Sequence, residues 1–142
     1  MEFICFINIF YRYGKKILED ILEEKDLSMQ ELIVLLVCNE SPGIFQYKLI
    51  DFTGIDKSNL SKLMKRLEER DLIYRLDSDS SLGQKECYLT GRSLNMMPSI
   101  KEAIDEWLGI IMDGFDKDEI ESYRAMSCKI SDNIFNKLTK RW

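Results

Sequence analysis

The stretch Gly54-Ile55-Asp56-Lys57-Ser58-Asn59-Leu60-Ser61-Lys62-Leu63-Met64-Lys65-Arg66-Leu67-Glu68-Glu69-Arg70-Asp71-Leu72-Ile73 constrains this chain more than any other. Leu60, Leu63, Met64 and Leu67 recur at i, i+3, i+4 and i+7, which predicts a helix with one apolar face. Ser58, Ser61, Lys62, Lys65 and Glu69 fall on the other side, with Asn59 and Arg66 at the flanks. From Lys57 to Arg66 there are four cations and no anion, in a chain of net charge −5. An apolar back with a small-polar and basic front suits the major groove of a duplex. The same pattern also describes an ordinary amphipathic helix with a solvated face, so the neighbouring segments have to decide.

Upstream, Phe45 to Thr53 reads as a short helix with Leu49, Ile50 and Phe52 as its apolar residues. Gly54 follows at its end, where a left-handed conformation costs a glycine nothing. Asp56 or Ser58 can cap the helix that opens next. Short helix, glycine turn and second amphipathic helix make the layout of a helix-turn-helix. Downstream, Leu72 to Leu76 and Lys85 to Leu89 have strand composition, and Asp77 to Gly83 between them has loop composition. A hairpin with a long tip, a wing, is expected there.

The flanks are helical. Residues 3–24 predict a first helix, with Phe3, Ile4, Ile7, Phe10, Tyr11, Gly14, Ile17, Leu18, Ile21 and Leu22 at spacings of three and four. Phe6 and Ile9 widen its apolar surface beyond one stripe, so burial on several sides is expected, with a partner subunit as the source. Ser28 and Glu31 form a capping-box pattern that opens a second helix ending near Asn39, before the turn Ser41-Pro42-Gly43. After the wing, Thr90 is a natural cap for a helix over Ser93 to Met112, in which Pro98 should kink or delay the start. Asp113-Gly114 breaks it, and Asp116 to Lys140 forms a last helix with Ile120, Tyr123, Met126, Ile130, Ile134 and Leu138 as its stripe.

The 142 residues suit one domain, and nothing in the composition marks a second. Met1 to Tyr13 lacks the layout of a signal peptide, and no apolar run has the length of a membrane span, so a cytoplasmic protein with no membrane contact is expected. Cys5, Cys38, Cys87 and Cys128 are scattered without metal-type spacing and should be reduced. Histidine is absent. No metal or cofactor is expected, and no nucleophile–base pair or phosphate-cradling glycine loop suggests an enzyme. The acidity is uneven: residues 1–54 carry a balance of −4, residues 55–92 of +1 and residues 93–142 of −2. That distribution allows a nucleic-acid partner through the middle of the chain, with binding that weakens at high salt.

In this element order the chain resembles the MarR family of winged-helix transcriptional regulators. The likeness is carried by Gly54-Ile55-Asp56-Lys57-Ser58-Asn59-Leu60-Ser61, by Leu67-Glu68-Glu69-Arg70-Asp71-Leu72-Ile73, then by Tyr74-Arg75 and Leu89-Thr90. It implies a mainly α fold with a small β-wing over residues 1–142: a winged helix-turn-helix DNA-binding part at 28–92 and helical dimerisation regions at 1–27 and 93–142. It further implies a homodimer on double-stranded DNA, with recognition helices roughly 34 Å apart on a pseudo-palindromic operator. A repressor responsive to a small apolar or phenolic ligand is the usual role. Three departures stand out. Asp71 takes the usual place of a glycine after the recognition helix, which Asp tolerates better than most residues. The wing has Asp77 and Asp79 but no arginine after them, leaving Lys85 as the nearby cation. Ser93 stands where a glycine is common, a minor change.

Ser58, Asn59, Ser61 and Lys62 are therefore candidates for base-edge contact, and Lys65 and Arg66 for phosphate, with Lys57 a further DNA-binding candidate. Ser58 as a plain cap and Asn59 as a plain solvated residue fit equally well. Arg75 and Lys85 are the wing candidates, with Arg75 alternatively an ion-pair partner of Asp77 or Glu69. Ile4-Cys5-Phe6 is similar to the peroxide-sensing branch of the family. The second helix lacks that branch's tyrosines and no cation is close in sequence, so a buried, inert Cys5 is the expectation and a thiol-based redox regulator the alternative. A further alternative is a winged-helix interaction module that does not bind DNA.

Overall fold

The computed structural model describes residues 1–139, and Lys140, the expected end of the last helix, lies outside them. The elements run α1 (Phe3–Ile9), a π-helical turn (Phe10–Gly14), α2 (Lys15–Ile21), a 3-10 turn (Glu23–Lys25), α3 (Met29–Glu40), β1 (Ile44–Phe45), a 3-10 turn (Gln46–Lys48), α4 (Leu49–Thr53), α5 (Lys57–Glu69), β2 (Ile73–Asp77), β3 (Lys85–Leu89), α6 (Gly91–Ile111) and α7 (Lys117–Thr139). Two compact units result, Met1–Trp107 and a second from Leu108 onward. No described helix is long and apolar enough to cross a membrane.

The core of the first unit is one apolar cluster. Leu18, Leu22, Leu32, Val34, Leu35, Leu49, Leu60, Met64, Leu67, Leu72 and Ile100 are among its buried members, drawn from α2 through α6. Each such side chain contributes about 1.5–3 kcal/mol of transfer free energy. The second helix opens as expected: the Glu31 N–H donates to Ser28 Oγ at 3.2 Å and the Ser28 N–H to Glu31 Oε1 at 3.1 Å. Glu19 on α2 accepts the Met29 N–H at 2.9 Å and so satisfies another free donor of that helix end.

Four expectations need correction. Residues 3–24 are not one regular helix, because the π-helical turn Phe10–Gly14 interrupts them. Such a turn inserts a residue and changes the phase of the faces. Beyond it Leu18 and Leu22 are buried, whereas α1 buries nothing, and the Gly14 carbonyl at its end accepts the Trp107 indole N–H at 2.9 Å. Phe45 to Thr53 is not all helix either. Ile44–Phe45 forms a strand against β3, giving a three-stranded antiparallel sheet of order β1-β3-β2 rather than a simple hairpin. Gly43, at φ +86°, leads into it, and a Cβ there would sit 2.9 Å from the Tyr88 hydroxyl. Phe52, expected on the apolar side of α4, is 52% exposed, since Leu49 and Thr53 take the buried positions of so short a helix. Finally, Pro98 does not delay α6, which starts at Gly91 and runs through it. Pro98 is exposed, and Ser93, Met97, Ile100 and Ala103 hold the other face in the core.

Candidate nucleic-acid interface

α5 owes its start to Asp56, whose Oδ1 accepts the Asn59 N–H at 2.8 Å. Of the two possible caps, Asp56 is the one used. Gly54, left-handed at φ +68°, ends α4 and lets the chain turn into α5. At the far end the Leu72 N–H donates to the Leu67 carbonyl and the Asp71 N–H to the Glu68 carbonyl, with Asp71 left-handed at φ +56°. This is a Schellman closure, normally a glycine's work, done here by an aspartate. The exit is then tied down twice. Thr90 Oγ1 donates to the Asp71 carbonyl at 2.8 Å, and the fully buried Ser93 hydroxyl donates to the Leu72 carbonyl. Ser93 is thus more than a minor replacement for glycine: it fixes the turn between α5 and the wing.

The apolar back of α5 is fully used, since Leu60, Leu63, Met64 and Leu67 are each at most 4% exposed. The opposite side is exposed along its length. Ser58, Ser61, Lys62 and Lys65 form one stripe at i, i+3, i+4 and i+7, with Lys57, Asn59 and Arg66 beside it. Lys57, Lys62, Lys65 and Arg66 have no ion pair among the described residues, so their charge is available to an outside anion. Asn59 differs from its neighbours because its Nδ2 donates to Asp56 Oδ2 at 3.0 Å.

The wing cations are differently placed. Arg75 is part-buried and donates from Nε to Glu68 Oε1 at 2.6 Å and from Nη1 to Gln46 Oε1 at 2.8 Å, with Nη2 also paired to Glu68. Its partner is therefore neither Asp77 nor Glu69. Glu68 sits on the same side of its helix end as the strand that carries Arg75, whereas Glu69 points to solvent. Lys85 pairs with Asp77 at 2.6 Å across the β2–β3 register. Glu68 and Gln46 were not legible as partners, because no local spacing links residues 46, 68 and 75. A third clamp joins Arg70 to Glu31 at 3.0 Å and to the Lys25 carbonyl at 3.3 Å.

Cys5 is exposed, not buried, on a helix that buries none of its residues. Cys38 and Cys87 are the buried thiols. Burial pushes Cys38 up to about 12, with the nearby Cys87 adding to it, and pushes Cys87 up to about 11. Between α2 and α6 lies an open depression of about 400 Å³ lined by Ile17, Asp20, Ile21, Glu24 and Glu106. Its three carboxylates do not suit an anionic phenolate.

Residues 25–81 match the model of the MarR family. The winged-helix segment is therefore similar to that of the MarR family. An uncharacterised HTH-type transcriptional regulator of Bacillus subtilis (strain 168), YybA, is 23% identical over 112 residues, covering 79% of this chain and 75% of that protein. The crystal structure of MarR superposes with a TM-score of 0.85 at 22% identity, over all of this chain and 96% of that one. A MarR-family chain from Listeria monocytogenes, solved in complex with a 26mer DNA, superposes with a TM-score of 0.84 at 24% identity, over 96% of this chain and 91% of that one. At these identities the structural likeness speaks for the fold.

Proposed function

We propose that this protein is a sequence-specific transcriptional regulator of the MarR family that binds double-stranded DNA through α5, as a homodimer on a pseudo-palindromic operator. The observation that carries this is the basic face of Lys57, Lys62, Lys65 and Arg66, without an ion pair among the described residues, on a helix whose back is buried in the core. In this reading 28–92 is the DNA-binding part, Ser58, Asn59, Ser61 and Lys62 face base edges, and Lys57, Lys65 and Arg66 meet phosphates. Arg75 and Lys85 contribute less, since each must give up a carboxylate to reach DNA.

Residues 1–27 and 93–142 supply the dimer. Phe3, Ile4, Phe6, Ile7, Ile9 and Phe10 remain 40–66% exposed on the N-terminal segment. Separately, Tyr123, Met126, Ile130, Ile134 and Leu138 remain 44–56% exposed on α7. Apolar surfaces of this kind mark association sites. Repression relieved by a small ligand is the regulatory mode we assign. Because the depression between α2 and α6 is acidic, an uncharged or cationic apolar molecule suits it better than a phenolate. Fluorescence anisotropy against the gene's own upstream DNA is the test. Lys62→Ala and Lys65→Ala should each weaken binding, and two variants that bind as the wild type does would remove α5 from the interface.

A second reading, a winged-helix interaction module without DNA binding, is favoured by the engagement of both wing cations and by the net charge of −5. No binding to any duplex at low salt, together with a stable protein complex, would replace the first reading with this one.

A further inference from the structure

Asn59 occupies the third position of α5, within the N-terminal turn from which recognition helices reach base edges. It is exposed, yet its side chain is not free to rotate. Asp56 grips it twice: Oδ1 accepts the Asn59 backbone N–H at 2.8 Å and Oδ2 accepts the side-chain Nδ2 at 3.0 Å. A carboxylate only accepts hydrogen bonds, so the atom facing Oδ2 has to be the amide nitrogen, and the orientation of the amide is fixed by chemistry. Asp56 takes one hydrogen of this amide. Among the described residues no other hydrogen bond engages it, which leaves one N–H and the carbonyl Oδ1 for an outside partner.

One amide donor with one acceptor is the complement of adenine N7 and N6 in the major groove. Resting on the proposal that α5 is the recognition helix, we infer that Asn59 reads an adenine in each operator half-site and that Asp56 is the positioning residue that holds it ready. Ser58 and Ser61, whose hydroxyls serve as donor or acceptor to either partner, lack such a fixed edge. Asp56 thus joins two tasks that a serine cap could not perform together, since one hydroxyl cannot hold both the backbone N–H and the amide in place.

The test is selection from a randomised duplex library with the full chain, followed by anisotropy on the selected duplex and on its single-base variants. The wild type should select one A·T pair per half-site whose replacement costs roughly tenfold in affinity. Asn59→Ala should flatten that preference while leaving the other selected positions and the salt slope in place. Asp56→Ser keeps a good helix cap and should reduce the preference severalfold without flattening it. Circular dichroism confirms that both variants fold. A wild type that selects a sequence, with an Asn59→Ala variant that selects the same A·T pair as strongly, overturns the inference and leaves the recognition helix intact. A wild type that selects nothing removes the recognition helix and the inference together.

Discussion

The cations of α5 and the cations of the wing have the same formal charge and opposite availability. Lys57, Lys62, Lys65 and Arg66 stand on an exposed face without a carboxylate partner among the described residues, while Arg75 and Lys85 are each held by one. Counting Lys and Arg over residues 55–92 treats the two groups alike. Only the first group has charge to give a phosphate without first breaking a contact. Arg75 and Glu68 instead fasten the wing to the back end of α5, with Gln46 drawing in the turn before α4. In this chain the Arg75 contacts make the wing a brace for α5.

The largest effect should come from loosening the anchor that makes α5 available. Met64 is fully buried, so Met64→Ala should cost about 2–5 kcal/mol in urea denaturation. A loss under about 1 kcal/mol would mean that α5 is not fixed by its back. Next comes the charge itself. Lys65→Ala with Arg66→Ala should lower the slope of log affinity against log salt by about 2, because each phosphate contact contributes about 0.9. Lys85→Ala should leave that slope nearly unchanged, and a drop equal to that of one α5 lysine would erase the contrast between the two regions.

Arg75→Ala sharpens the comparison from the other side. We expect a stability loss of about 1 kcal/mol, modest because the Arg75 and Glu68 side chains are 21% and 34% exposed, with no change in salt slope. A changed slope with unchanged stability would return Arg75 to the DNA surface.

The same contrast between available and engaged groups holds for the thiols, with the smallest effect near neutrality. Cys5 and Cys128 are exposed in the single chain, whereas Cys38 and Cys87 are buried and should react with a thiol reagent only after unfolding. Their raised values, about 12 and about 11 against an ordinary 9.0, mean that the unfolded chain ionises first as pH rises. Stability from these groups is therefore complete below pH 9.0 and declines from there toward the folded values. Flat denaturation midpoints from pH 8 to 11 would contradict that burial. If mild peroxide modifies Cys5 by mass spectrometry and DNA affinity falls with it, a thiol-switch role joins the reading; modification without loss of affinity leaves Cys5 a bystander.

Local periodicity made much of the fold legible. The i, i+3, i+4, i+7 pattern of Leu60, Leu63, Met64 and Leu67, the Ser28–Glu31 box and the aspartate at position 71 each describe interactions within a few residues of one another. Such interactions depend on backbone geometry that every helix shares, so the residues alone define them. The strand at Ile44–Phe45 was not legible, because two residues carry no period and gain their hydrogen bonds from β3, some forty positions away. The π-helical turn at Phe10–Gly14 escaped for a related reason: its phase shift is fixed by what α2 packs against and by the distant Trp107.

For the candidate interface the division is the same. The sequence by itself determined which side chains share the front of α5 and that this front is basic. Tertiary structure decided which cations lack a carboxylate partner among the described residues, that Asp56 rather than Ser58 caps the helix, and that Arg75 belongs to Glu68 and Gln46. A charge's availability is set by whatever comes within about 4 Å of it in space. Residues 46, 68 and 75 meet at that distance only once the sheet and α5 have packed.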